Sequence, residues 1–572
     1  MLTEEKLPSV ASFYENKTVL ITGASGFLGK VILETLLRVA PKVKKIFLIV
    51  RSSKDKSALK RVEDTLRSPL FDEVRENDSE FEKKVVALPG ELTESKLGLS
   101  EEHYQLLIDE VQLIMHSAAS VNFNEELKQS LEINVCAVEE VCRLCHQIKD
   151  LQAFVHVSTA YSQCNQEIIQ EKIYRSTIDT RSILQTLNTM HKESPQQARK
   201  TSKSLAKALM HDRPNTYTLT KSIAEDAVYR HAKGENNLGS FSDEDLATDK
   251  KFKCLPFAVF RPSVVGCIAG KSTLKNTTEK RGRRDGWVDN LNGPGGLYLA
   301  SGHNILRVMP GDIDAIVDIV PVDFVANMLL AVVMKVAHTY YKVEDKSNQQ
   351  LSPFPLVFNC TSGATNPLKI ADHNRYGLEE LHRNPVEKNL IIKPSFFMVK
   401  NRFDYEYIWR PICHHLPGMI MDLGRILMGK KPIMARIYRK LHSSVDAYAY
   451  FSSHEWKWEV DNVRQLSSQL TEEDRKTLNF DFSTLDWRNY ITLFVKGSVE
   501  FAAATKPVKS IQKSSSFQSA FITLAILFIL VAALFTLFFD VFVDPTTFNL
   551  TNSSLPSAPP TFMKHLFSTE SD

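Results

Sequence analysis

Tyr217 and Lys221 stand four residues apart in the segment Y-T-L-T-K. On an α-helix that spacing puts both on one face. A phenol has a pKa near ~10, and an adjacent ammonium is expected to stabilise the phenolate and lower that value. Such a tyrosine exchanges a proton with a substrate oxygen near neutral pH. The spacing alone is common, and a surface tyrosine beside a lysine shows it too. A third element gives it weight: Ser158 and Thr159 close the run H-V-S-T-A-Y, which reads as a buried strand. The end of such a strand is where α/β folds hold ligands, and a hydroxyl there can hydrogen-bond a substrate carbonyl oxygen.

A second set of residues concerns phosphate. The apolar run Lys17 to Thr22 leads into T-G-A-S-G-F-L-G, and Lys30 to Val39 then reads as a helix with Val31, Ile32, Leu33, Leu36 and Leu37 on its apolar face. In this context Gly23 permits a tight turn, Gly26 lets the backbone approach a pyrophosphate, and Gly29 lets helix pack on strand. The helix start presents N–H groups to the phosphates. Thr22, Gly23, Ser25, Gly26, Phe27, Leu28 and Gly29 are the expected dinucleotide contacts. The next strand, Lys45 to Val50, ends in Arg51, Ser52, Ser53 and Lys54. An acidic residue there would hold the ribose 2′-hydroxyl of NAD, whereas Arg51 can pair with a 2′-phosphate, so NADPH is expected. A solvated arginine is the plainer alternative.

The elements that must position these groups form a regular series. Lys84 to Leu88, Leu113 to His116, Ala153 to Ser158, Phe257 to Arg261 and Leu356 to Cys360 are further apolar runs without alternation. Strands buried on both faces look like this, and helical stretches lie between them. The fold class expected is α/β, a Rossmann-like doubly wound parallel sheet. After about Pro367 helical and aromatic stretches dominate. The expected organisation is a nucleotide-binding domain over 1–366, a helical domain over 367–504, a Lys/Ser-rich linker over 505–519, a transmembrane anchor over 520–543 and a tail over 544–572.

The 572 residues are 43% hydrophobic and 24% charged, the balance of a folded chain, and a net charge of +3 gives no general pull toward nucleic acid. Of eight cysteines, only Cys142 and Cys145 form a C-x-x-C. No second pair completes a zinc site, so no metal is expected and both read as reduced helix cysteines. The N-terminus lacks the apolar region of a signal peptide. Ala520 to Phe539 is twenty residues without a charge, the length a helix needs to cross a bilayer. Lys506, Lys509 and Lys513 precede it and Asp540 and Asp544 follow, which places the large N-terminal part in the cytosol. The N-x-S/T triplets at Asn549 and Asn552 matter only if the tail enters a glycosylating lumen.

Together the glycine turn, the S-T strand end and Y-T-L-T-K resemble the extended short-chain dehydrogenase/reductase superfamily. More narrowly, the chain resembles the fatty acyl-CoA reductases. The residues carrying this are KTVLITGASGFLGKVILETLLR, HSAASVNF, EINV at Asn134, FVHVSTAY, PNTYTLTKSIAE, FRPSVVG, GWVDNLNGP and VDIVPVDFVAN, with LPGMIMD, GKKPIM and DWRNY in the helical part. The resemblance implies Tyr217 as proton donor, Lys221 as its electrostatic partner and ribose anchor, and Thr159 as the carbonyl-orienting hydroxyl, with Ser158 the neighbour that could take that role. It also implies Ala118 and Ala119 on the adenosine side, Asn134 as a further cofactor contact, and Pro262 and Ser263 near the nicotinamide.

The activity implied is NADPH-dependent reduction of a long-chain acyl-CoA. Hydride reaches the thioester carbon, the hemithioacetal loses coenzyme A, and a second hydride gives a primary alcohol for ether lipid or wax synthesis. The location implied is the peroxisomal membrane, with the endoplasmic reticulum as the alternative. Glu91, in P-G-E-L, stands where the superfamily has an aspartate and is expected to reach toward the adenine. Arg281, Arg283 and Arg284 form a basic loop, read as solvated, with coenzyme A phosphates as the alternative partner. Rival readings are a sterol or nucleotide-sugar dehydrogenase/epimerase keeping Tyr217 and Lys221, and a non-catalytic dinucleotide-binding scaffold. Self-association stays open.

Overall fold

The computed structural model describes residues 6–52, 55–189, 195–235, 255–343, 353–386 and 393–502. Ser53, Lys54, the apolar run 520–539 with its flanking charges, Asn549 and Asn552 lie outside the described residues. Seven strands build the central sheet: β1 (Thr18–Thr22), β2 (Lys45–Val50), β3 (Val85–Pro89), β4 (Leu113–His116), β5 (Ala153–Val157), β6 (Phe257–Pro262) and β7 (Leu356–Cys360). All neighbours are parallel, in the order β7-β6-β5-β4-β1-β2-β3. The absence of polar alternation has its cause here: in β1, Val19 and Ile21 enter one hydrophobic core while Leu20 enters the other, on the opposite face of the sheet.

The helices that matter below are α1 (Phe27–Val39), α2 (Ala58–Leu66), α3 (Ala137–Gln147), α4 (Thr216–Lys233), α5 (Val322–Lys342), α6 (Ile370–Arg383), α7 (Leu416–Leu427), α8 (Met434–Ala449) and α9 (Trp487–Gly497). Helices α1, α2 and α5 cover one face of the sheet, and α3 and α4 cover the other. The order of strands reverses between β1 and β4, so the loops after them part and leave a crevice at their carboxyl ends. Thr22 pairs with His116 in register, which sets Gly23 beside Ala118.

Among the described residues α5 is the one helix long and apolar enough to cross a membrane, yet 78% of its apolar window is buried inside the protein. It packs between α1 and β5 as a core helix. The polar stretch between Thr159 and Tyr217 folds partly into helices whose Leu184, Leu187 and Ala206 join the core beside α3 and α4. Cys142 and Cys145 lie buried on α3, and burial pushes both thiols up.

The helical region after Pro367 packs back onto the sheet. Lys457 and Trp458 pair with Ile168 and Ile169, the Asn462 side chain donates to Val357 O at 2.9 Å, and Leu7 N donates to Gln469 O at 2.9 Å. Helices α7 and α8 form a hairpin whose second helix is capped by the Asp422 carboxylate, which accepts from the amides of Ile433, Met434 and Ala435.

Candidate active site

Helix α4 starts where its sequence dictates. The side chain of Asn215, just after Pro214, accepts from Thr218 N at 2.9 Å and caps the first turn. Gly234, left-handed at φ 64, ends the helix. Tyr217 therefore sits in the first turn, and Lys221 and Glu225 follow at intervals of four on the same stripe. The Lys221 ammonium donates to Val157 O, the end of β5, at 2.8 Å. The Thr159 hydroxyl, which accepts from Tyr161 N at 3.3 Å, faces the same cavity as the Tyr217 phenol and stands near enough to lower its pKa.

Ser158 and Thr159 have different surroundings. Ser158 Oγ donates to Glu225 Oε1 at 2.6 Å, and Ser162 Oγ does so at 2.8 Å. Arg261 closes the group, with Nε 2.9 Å from Oε1 and a terminal nitrogen 2.6 Å from Oε2, both side chains fully buried. The remaining Arg261 N–H groups reach the carbonyls of Gln170 and Lys172. Ser158 is thus committed to a brace behind the strand end, and the hydroxyl beside the phenol belongs to Thr159.

The electrostatics differ from the sequence expectation for Tyr217. Enclosure pushes its phenol up to about 12, with the nearby Thr159 hydroxyl pulling the other way. The Lys221 ammonium is spent on the Val157 carbonyl rather than on the phenol. Burial brings Lys221 down to about 8, opposed by the Glu225 carboxylate. Near neutral pH the tyrosine is a proton donor and the lysine a cation.

The glycine turn is shaped for a close ligand. Gly23 has φ +74, and a Cβ there would meet Ala118 N at 2.7 Å. A Cβ on Gly29 would meet Gly23 O at 2.2 Å, so this position lets α1 pack against the turn. Gly26 is the N-cap of α1 and supplies no side-chain cap, which leaves first-turn N–H groups for an anion. These features fit a dinucleotide pyrophosphate, held by Gly26, Phe27, Leu28 and Gly29, which line the cavity with Gly23.

That cavity has a volume of about 460 Å³. It runs from the glycine turn past Ala119, Thr159, Tyr217, Lys221, Pro262 and Ser263, then continues between the sheet and the helical region. There its walls are largely apolar: Leu297, Met309, Leu378, Leu381, Phe396 and Met398. Phe123 tilts over Tyr217 with ring centroids 5.5 Å apart, and Tyr448 and Phe451 close around it.

Several expected contacts are engaged elsewhere. Thr22 Oγ1 pairs with His116 Nδ1 at 2.8 Å and accepts from Ala118 N, so it ties β1 to β4. Asn134 accepts from Ser120 N and donates to Ser120 O and Thr220 Oγ1, so both its amide hydrogens are spent on shaping the loop after β4. Arg51 and Glu91 stand at the ends of β2 and β3, beyond the cavity lining. In the basic loop Arg281 and Arg283 are exposed, as expected, and pair at the surface with Glu500 and Glu76, while Arg284 is half-buried and pairs with Glu34 and Glu73.

Two groups were missed from sequence. Arg61 on α2 donates to Ser25 Oγ at 3.1 Å and to Arg51 O at 2.5 Å, placing a guanidinium beside the glycine turn. No spacing announced it. The Glu225–Arg261 brace had a signal, since Glu225 continues the four-residue interval of Tyr217 and Lys221.

Comparison with known proteins agrees with this site. Two family models, both described as male sterility protein, match: the nucleotide-binding one over residues 21–238 and 242–329, the other over 413–504. Fatty acyl-CoA reductase 1 of Mus musculus and of Homo sapiens are each 35% identical over 493 residues, covering 86% of this chain and 86% of theirs. Fatty acyl-CoA reductase wat of Drosophila melanogaster is 32% identical, covering 85% of this chain and 84% of its own. With the glycine turn and the Thr159–Tyr217–Lys221 cluster on one cavity, and this identity sustained through the helical region, the chain belongs to the fatty acyl-CoA reductase family.

Proposed function

We propose that this oxidoreductase reduces long-chain fatty acyl-CoA to primary alcohol with NADPH and releases coenzyme A. The observation carrying it is the single cavity that joins the dinucleotide turn, the donor pair Thr159–Tyr217 and a long apolar channel. An apolar channel suits an acyl chain and offers little to a nucleotide-sugar.

A reduced nicotinamide, when bound, supplies hydride. The rest falls to the chain. Thr159 and Tyr217 present adjacent hydroxyls to the carbonyl oxygen as it gains negative charge. Tyr217, neutral at physiological pH, gives that oxygen its proton. Collapse of the hemithioacetal breaks the C–S bond, and coenzyme A leaves as the thiol. The aldehyde stays among the rings of Phe123, Tyr448 and Phe451 until the same donors serve the second reduction. Purified protein given NADPH and palmitoyl-CoA should release one thiol for every two NADPH oxidised. Thiol release without NADPH oxidation would mean a thioesterase and overturn the reading.

Loss of the Lys221 proton removes the site's cation. The free-enzyme kcat/KM is therefore expected to hold below pH 8 and fall about tenfold per pH unit above it. A profile flat to pH 10 would exclude a role for the charge.

The choice of NADPH over NADH rests on Arg51 and on Arg61 beside the glycine turn. Arg61→Ala is expected to raise the KM for NADPH by about 10- to 100-fold, the ~1.5–3 kcal/mol of a charge-assisted hydrogen bond. The KM for NADH should barely move, and equal effects on both would remove the 2′-phosphate from the account.

We further propose that Ala520–Phe539 is a single-pass anchor in the peroxisomal membrane, with the catalytic part facing the cytosol. The uncharged run and the lysines before it support this. Fluorescent tagging of the full chain against peroxisomal and endoplasmic reticulum markers tests the address.

A further inference from the structure

The chain from Arg402 to Leu427 is one helical rod with two π-helical turns, followed by the turn into α8. One side of it is buried, through Tyr405, His414, Pro417, Gly418 and Gly424. The other side carries Ile408, Ile412, Leu416, Met419, Leu423 and Leu427, a row with steps of three and four residues, all exposed. Met419 and Leu427 are 70% and 72% exposed. Single exposed apolar residues are ordinary, but a continuous row of this length on a soluble surface marks a partner.

The surroundings identify the partner. Between Asp422 and Asp446 the chain carries Arg425, Lys430, Lys431, Arg436, Arg439 and Lys440 and no acidic residue. The last five of these are exposed. An apolar face bordered by cations is the pattern of a helix lying in a headgroup layer. A protein partner would more often meet an apolar core with a mixed polar rim. The sequence adds proximity: residues 503–519 span at most ~60 Å between the last described helix and the uncharged run at Ala520. The cleft beside the face points the same way. It is lined by Met419, Leu423 and Ile426 together with Arg410, Asp422, Arg439 and Asp446, and reaches inward to Phe123, the ring that stands over Tyr217.

We propose that this face of the Arg402–Leu427 rod lies in the headgroup layer of an anionic bilayer, a docking surface separate from the C-terminal run. The surface goes beyond the reading of the reaction and draws on the anchor reading only for proximity. Docked this way, the cleft opens at the lipid boundary and offers an acyl chain a route toward the donor pair without passing through water.

Trp409 is the reporter. It is 39% exposed on this rod, whereas Trp287, Trp456, Trp458 and Trp487 are buried or half-buried. The full chain is placed in phosphatidylcholine vesicles whose acyl chains are brominated, with and without phosphatidylserine. Emission is expected to be quenched, the quenching to deepen with phosphatidylserine, and Trp409→Phe to remove most of it. Leu416→Glu with Leu427→Glu should abolish the quenching and leave reduction of a short, soluble acyl-CoA unchanged. Absent quenching, or quenching indifferent to anionic lipid or to the two glutamates, overturns the proposal. So does a two-copy particle with Trp409 unquenched, which would make a second copy the occupant. Alkaline extraction reports on Ala520–Phe539 separately, so failure of the face and failure of the anchor are distinguishable.

Discussion

Replacing Tyr217 by phenylalanine is expected to lower kcat by about 10²- to 10⁴-fold, the span general acid catalysis covers, while the affinity for NADPH stays near that of the parent. The substitution removes one hydroxyl and keeps the ring that packs under Phe123. A phenol held at about 12 by its enclosure is fully protonated in the working range, so the loss is of a proton rather than of a negative charge. Thr159→Val should cost about 10²- to 10³-fold, as loss of one donor to a developing oxyanion does. Ser158→Ala should cost far less, because Ser158 Oγ donates to Glu225 rather than into the cavity. Single-turnover kinetics with dinucleotide binding followed by fluorescence separates the cases. If Ser158→Ala matched Thr159→Val, the assignment of the two hydroxyls would be reversed.

Arg261→Met is expected to destabilise the fold by about 3–5 kcal/mol, the cost of leaving a buried charge without its partner. Glu225 would keep two serine donors and lose the guanidinium in a fully buried site. Arg261→Met combined with Glu225→Leu should recover much of that loss, because apolar replacement of a whole buried pair is often neutral. Denaturant midpoints of the two variants test this. Equal instability would show that the Arg261 contacts to Gln170 and Lys172, rather than the pair, hold the structure.

The sheet was legible because its strands are mostly apolar runs without polar alternation. Lys45–Val50 and Leu356–Cys360 have no other stable home than a layer buried on both sides. The glycine turn was legible for a similar reason, since few folds place three glycines between a buried strand and an amphipathic helix. What the sequence concealed depends on long-range contacts. Arg61 is one of many basic residues until α2 folds against the turn. Asn134 and Thr22 sit in the right motifs, yet their polar atoms are consumed in joining β1, the loop after β4 and α4. Proximity of Lys221 suggested an acidified tyrosine, but the ammonium faces a carbonyl and enclosure dominates. Helix α5 shows the limit of hydropathy alone: its length and composition would pass for a membrane span, and packing against α1 and β5 makes it the centre of the core.

Deuterium transfer is the most direct test that an activated acyl group lies against the Thr159–Tyr217 pair within reach of a nicotinamide. Protein incubated with palmitoyl-CoA and NADPH deuterated at the transferred position of the nicotinamide C4 should yield hexadecanol carrying two deuterium atoms on C1, with free coenzyme A. Palmitate free of label, or unreacted thioester after the label has been lost from the cofactor, would contradict the account.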